Sequence, residues 1–208
     1  MGSISSAILI CRVLGLEDPR STGSQNPGTT NVLRAAGKLA AVATLLGDIA
    51  KGIIPILIAM ELNAPPIVLA LCGFCAFLGH LFPVYFDFRG GKGVATAMGV
   101  ALALHWPAGL LVISTWIGTI IMTRTASIAA LVSWAAAPIY FNLTVPTTLQ
   151  SSYLPVIAAI SLLLILSHRQ NMLSLYRGNE RNFNEPNSNK PDHNEHRSSS
   201  SNDDPQHH

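Results

Sequence analysis

Charge is scarce in this chain. Asp, Glu, Lys and Arg make up 12% of its 208 residues, about half of the roughly 25% usual in soluble domains. That excludes an intrinsically disordered protein and a basic nucleic-acid-binding domain. Cysteine is almost as sparse. Cys11, Cys72 and Cys75 all lie in apolar runs, too few for a small disulfide scaffold. Cys72 and Cys75 form a C-x-x-C, but no second Cys or His pair stands at the spacing of a zinc site, which needs about four ligands. They read as small apolar side chains on a membrane helix. The spacing of a nucleotide P-loop is absent, and so is any convincing internal repeat.

Apolar residues, at 49%, are what the chain has in excess. The polar remainder is uneven. From Asn184 onward the chain is Asn, Ser, His, Asp and Pro with hardly an apolar residue, which cannot bury enough surface to offset the entropy of ordering. We therefore divide the chain into a membrane domain over 1–183 and a polar, disordered cytoplasmic tail over 184–208. His193, His196, His207 and His208 in that tail read as solvated residues rather than a metal site.

The expected fold is an all-α membrane protein, a polytopic bundle of about seven transmembrane helices. About 20 apolar residues are needed to cross a hydrocarbon core of about 30 Å. Spans are expected over 39–60, 66–82, 127–143 and 153–167. The stretch Val94 to Thr123 is too long for one upright helix, and His105-Trp106-Pro107 breaks it into two short, closely packed ones. Met1 to Leu16 lacks a charged n-region and a cleavage signal, so it reads as a first span rather than a signal peptide. Its shortness points to a native start upstream of Met1.

Charge placement supports seven. One set of connections then holds Arg20, Arg34, Lys38, Arg89, Lys92, Arg124, Arg169, Arg177, Arg181, Lys190 and Arg197, eleven of the thirteen basic residues. The opposite connections, near Glu61, His105 and Gln150, hold none. The positive-inside rule makes the basic side cytoplasmic, with the N-terminus periplasmic and the C-terminus cytoplasmic. A single helix over 94–123 would put Arg124 and the tail on conflicting sides.

The polar side chains that ask for a chemical explanation gather on the basic side. In the first loop, Gly23 and Gly28 let backbone N–H groups converge. Ser24, Asn26, Thr30 and Asn31 offer short hydrogen-bonding groups, and Arg34 adds a fork suited to phosphate. A capped turn entering the second span explains the same residues. The second segment sets Gly90, Gly91 and Gly93 around Lys92 at the start of a helix, an arrangement that would cradle an anion. The alternative is a flexible basic turn. In the third, His168 and Asn171 share a helix face at i, i+3 spacing, and His168 fits either a general base or a cap of the helix C-terminus. At membrane depth, Asp48 and Lys51 are also i, i+3; they form an ion pair, line a polar site, or both. His80, beside the aromatic run Leu81 to Phe86, reads as an internal hydrogen-bond donor near an interface belt.

Taken in order, these segments resemble the bacterial acyl-phosphate:glycerol-3-phosphate acyltransferase family. The likeness runs through Gly2-Ser-Ile-Ser-Ser, Gly23-Ser-Gln-Asn-Pro-Gly-Thr-Thr-Asn-Val-Leu-Arg34, Gly47-Asp-Ile-Ala-Lys-Gly52 and Gly79-His-Leu-Phe-Pro-Val-Tyr-Phe. Gly90-Gly-Lys-Gly-Val-Ala-Thr96 and His168-x-x-Asn171 with Gly178-x-Glu180 complete it. Each motif is weak alone, but the set in order is specific. The resemblance implies an inner-membrane, multi-pass enzyme of phospholipid synthesis with active-site loops facing the cytoplasm. It implies acyl transfer from acyl phosphate to glycerol 3-phosphate, giving lysophosphatidic acid and phosphate, with the donor supplied by a soluble partner acyltransferase. By position, Ser24, Arg34, Lys92, His168 and Asn171 match the residues such enzymes need. Asn26, Gly28, Thr30, Asn31, Gly90, Gly91 and Gly93 match phosphate-binding elements, with Ser127 a looser match. Asp48, Lys51, His80, Gly178 and Glu180 stand as supporting residues. Gln25, Thr29 and Ser174 depart from the usual Gly, Ala and Arg.

No metal or organic cofactor is called for, since an acyl phosphate is already an activated anhydride. The acyltransferase class marked by H-x-x-x-x-D is excluded: Tyr85, Leu110 and Leu173 stand where its aspartate would follow His80, His105 and His168. The alternative from another class is a secondary transporter of a phosphorylated solute. It would favour internal repeats and a mid-membrane polar site, whereas most polar groups here lie at one face.

Overall fold

A chain so poor in charge can satisfy its backbone in lipid only as helices or as a closed barrel. The computed structural model, which describes residues 1–178, is helical. The helices are α1 Ser6–Val13, α2 Thr29–Glu61, α3 Pro66–Leu81, α4 Val94–Leu104, α5 Trp106–Thr123, α6 Ala126–Thr144, α7 Thr147–Ser167 and α8 Arg169–Tyr176. A single 3-10 turn, Val84–Phe86, follows α3.

Proline and left-handed residues set the boundaries. Pro66 opens α3, where its missing N–H costs nothing. His105 alone separates α4 from α5, and Pro107 stands in the first turn of α5. The break expected there is present. It is a closed hairpin: a Cβ on Gly109 would come within 2.7 Å of the Leu102 main chain. Arg124, at φ 53°, ends α5 in the left-handed conformation and lets the chain reverse into α6.

Among the described residues, five helices are long and apolar enough to cross a membrane: α2, α3 continued through Phe86, α5, α6 and α7. Two of the seven expected spans fall short of that. The first, read over Met1 to Leu16, contains only the eight residues of α1, and α4 has eleven. At about 1.5 Å per residue, α4 is about 16 Å long against about 27 Å for α5. The two arms of the hairpin are therefore unequal, α4 being about 10 Å the shorter. The first loop also differs from expectation. Its second half, from Thr29, is helical and joins α2 across a break at Gly37, which has φ 85° and ψ −179°.

Short connections make successive helices antiparallel. The starts of α2, α4 and α6 and the ends of α3, α5 and α7 therefore lie at one end of the bundle. The main core gathers around Phe77, Trp134 and Phe141, all fully buried. A smaller one, between α1 and α2, centres on Ala7, Val32 and Ala40. Glycines set the closest approaches: a Cβ on Gly52 would strike the Thr96 carbonyl, and one on Gly99 the Ile49 carbonyl, so α2 and α4 meet backbone to backbone. Such small-residue seams are how helices pack without a hydrophobic force between them. The outer surface is apolar, with Leu39, Ile121, Met122 and Leu143 between 71% and 86% exposed. Exposed apolar surface on that scale belongs against lipid.

Candidate active site

The first loop is organised by Asn31. Its buried amide donates from Nδ2 to the Pro19 carbonyl at 2.7 Å and the Thr22 carbonyl at 3.1 Å, while Oδ1 accepts the Ser24 N–H at 3.1 Å. Ser24 is thereby held in an exposed position. Gly28 caps α2, its carbonyl accepting the Asn31 and Val32 N–H groups, with the Asn26 side chain packed beside it. Thr30 and Arg34, both half-buried, lie in the helical segment before the Gly37 break.

This loop is tied to the one before α4 by a clasp the sequence did not reveal. The Arg20 guanidinium pairs with Asp18 at 2.9 Å and with Asp87 at 3.5 Å, and donates to the Phe86 carbonyl at 3.3 Å. The hydrogen bonds from Arg20 hold the Asp18 carboxyl below the usual carboxylate range, and in return Asp18 raises Arg20. Asp18 and Arg20 share the first loop but Asp87 comes from the loop before α4, so no local spacing could have marked the three as a group.

The glycine segment is gripped on two sides. On one, Lys92 Nζ donates to Asn171 Oδ1, and Ser167 Oγ donates to the Lys92 carbonyl at 3.3 Å. The second and third motifs therefore meet. His168 is buried and its Nδ1 lies 2.9 Å from the Leu164 carbonyl. A carbonyl can only accept, so Nδ1 is the donor in that contact. Ser167 could have been anticipated from its place beside His168; the sequence reading passed over it.

On the other side of the loop, the Gly91 N–H donates to the His80 carbonyl at 3.2 Å. His80 is internal, as expected: it is buried, with Nδ1 3.3 Å from Thr96 Oγ1 and 3.7 Å from Asp48 Oδ1. Asp48 pairs with Lys51 at 2.9 Å, and Lys51 Nζ also donates to the Ile4 carbonyl at 3.1 Å. The ion pair expected from the i, i+3 spacing is present, but its further partners His80, Thr96 and Ile4 were not foreseen. Ser127 is buried at the start of α6, the bundle end that carries the loops. Gly178, at φ 70°, closes the described residues; Glu180 and the four tail histidines lie outside them.

A bundle of helices long and apolar enough to cross a bilayer, with polar loops gathered at one end where Lys92 meets Asn171, defines an integral membrane protein with a polar site at that end. Comparison with known proteins narrows this. The family model described as glycerol-3-phosphate acyltransferase matches residues 1–178. A glycerol-3-phosphate acyltransferase of Methylococcus capsulatus is 50% identical over 181 residues, covering 86% of this chain and 89% of its own. That of Coxiella burnetii is 49% identical over 180 residues, covering 86% and 91%. The crystal structure of PlsY (YgiH), an integral membrane glycerol 3-phosphate acyltransferase, in its glycerol 3-phosphate form has a TM-score of 0.80 and 36% identity. It covers 87% of this chain and 89% of that one. The lysophosphatidic acid form of the same protein gives 0.79 and 35%. The chain belongs to the glycerol-3-phosphate acyltransferase family and is a multi-pass integral membrane protein.

Proposed function

We propose that this chain transfers an acyl group from acyl phosphate to glycerol 3-phosphate, releasing lysophosphatidic acid and inorganic phosphate. The observation that carries the site assignment is the Lys92–Asn171 hydrogen bond, which joins the glycine loop to α8 just beyond the end of α7. An acyl phosphate is a mixed anhydride, so its carbonyl is already activated. The enzyme must hold two phosphate groups side by side and bring a hydroxyl to that carbonyl. Alignment alone supplies up to roughly 7–11 kcal/mol of the barrier.

Lys92 and Arg34 offset the phosphate charges, and the backbone amides of the glycine loop stabilise the departing phosphate. Nε2 of His168 accepts the glycerol hydroxyl proton as the carbon–oxygen bond forms, unless the donor's own phosphate takes it. Asn171 and Ser24 orient the two head groups. The distribution of basic residues supports a cytoplasmic placement of these loops in a bacterial inner membrane. In that arrangement α1 and α4 complete seven membrane-embedded helices, the N-terminus is periplasmic and the described chain ends in the cytoplasm. A soluble acyltransferase that makes acyl phosphate would then reach the site directly.

The test is phosphate release by detergent-purified protein given palmitoyl phosphate and glycerol 3-phosphate, with palmitoyl-CoA as a parallel donor. Release that needs both substrates, with lysophosphatidic acid formed from the phosphate donor alone, is the expected result. Lys92→Ala and Arg34→Ala should each lower kcat/KM by about 100-fold or more, the scale of losing a transition-state donor, while the protein stays folded. Near-wild-type rates in either variant would remove that residue from the phosphate site.

A further inference from the structure

We propose that His80, anchored by Asp48 and Thr96, is a positioning residue that sets the height and orientation of the Gly90–Gly93 loop and so aims Lys92. The inference rests on Lys92 belonging to the phosphate site. The loop has no secondary structure of its own between Asp87 and α4, so its shape must come from what lies beneath it. What lies beneath it is His80. The imidazole occupies the place of the side chain Gly91 lacks: a Cβ there would meet Nε2 and lie 2.9 Å from Cε1. The His80 carbonyl accepts the Gly91 N–H, and together with the Leu81 carbonyl it fills the space a Cβ on Gly90 would need.

The ring is fixed from behind. Nδ1 faces Thr96 Oγ1 on α4 and Asp48 Oδ1 on α2, and Asp48 is itself paired with Lys51. Residues of two other helices thus hold one ring of α3, and that ring holds the loop. A buried ring held at Nδ1 and packed against Gly91 along its Nε2 edge has few alternative rotamers, which is what a support for a reacting group needs. A displacement of about 1 Å in such a group costs up to roughly a hundredfold in rate.

The geometry separates the two glycines in a way a merely structural role would not. Gly91 is obstructed by a side chain, Gly90 by main-chain carbonyls. Gly91→Ala should therefore lower kcat/KM at least tenfold, mainly through KM for a phosphate substrate. His80→Asn keeps a polar atom near Thr96 and Asp48 while withdrawing the ring edge from Gly91. It should raise the same KM several-fold while the protein keeps its thermal stability in detergent. Combined, His80→Asn with Gly91→Ala should recover to within about threefold of His80→Asn alone. Gly90→Ala, as the control, should gain nothing from His80→Asn.

Multiplicative losses in the Gly91 double variant, equal recovery at Gly90, or wild-type kinetics for Gly91→Ala would each overturn the proposal. Should Lys92→Ala instead leave kcat/KM intact, the phosphate-site reading itself fails. That result is distinguishable, because the Gly91–His80 suppression would still be measured.

Discussion

At the scale of the residue, Asn31 shows how a polar side chain can matter to a phosphate site while its polar atoms are committed elsewhere. Both ends of its amide hold the loop that carries Ser24. Asn31→Ala strands one N–H and two carbonyls, at a local cost of about 1–3 kcal/mol. It should cut kcat/KM about tenfold or more and speed amide hydrogen exchange across residues 22–26. A direct phosphate contact would give the activity loss with exchange unchanged, so the two measurements together assign the role. Asp48 and Lys51 were legible as a pair because i, i+3 spacing on a helix brings side chains together. The bonds of Asn31 were not, because they depend on a loop path over Pro19 and Thr22 that no periodicity encodes. His80 was legible as polar and internal. Its partner Thr96 lies sixteen residues away, beyond the reach of a local pattern.

At the scale of the element, proline and charge spoke clearly and glycine did not. The α4–α5 break followed from His105-Trp106-Pro107 and from the sidedness of Arg124, and the helices over Pro66–Leu81 and Ala126–Thr144 lie within a residue of their expected limits. The helical turn from Thr29 was missed because Thr, Asn and Gly also make loops, and helix and loop differ there only in what packs against them. Two short helices were expected over 94–123, and they are unequal because α4 folds straight back at His105 while α5 runs on to Thr123. The seam between α2 and α4 gives a direct test. Gly99→Ala drives a Cβ into the Ile49 carbonyl, and because that obstacle is main chain the helices must part. Overpacking of this kind costs about 1–3 kcal/mol. A lowered melting temperature in detergent with retained helicity is expected, and unchanged stability would mean that the seam is looser than drawn.

At the scale of the whole molecule, the loops at one end act as a unit because Arg20 links them. Asp18 titrates below its unfolded value, so the stabilisation from this pair is complete above about pH 4 and fades as the pH falls through the lowered value. Its size is modest, about 1 kcal/mol or less, because Asp18 is over a third exposed. Hydrogen-exchange protection in residues 17–34, measured against the intrinsic exchange rate at each pH, should be flat from about pH 5 to 8 and fall only in strong acid, and Asp18→Asn should abolish that fall. The clasp stands at the rim, where Asp87 is open to water. The loop around Lys92 does not, because it is half-buried against Ser167 and Asn171. Charges set among protein groups are screened by salt much less than charges in open water. Dissolved potassium chloride should therefore loosen the rim while leaving the attraction between Lys92 and a seated phosphate nearly undiminished. Between about 0.05 and 0.5 M salt, KM for glycerol 3-phosphate should shift by no more than about threefold, where a phosphate site on an open basic surface would lose most of its grip.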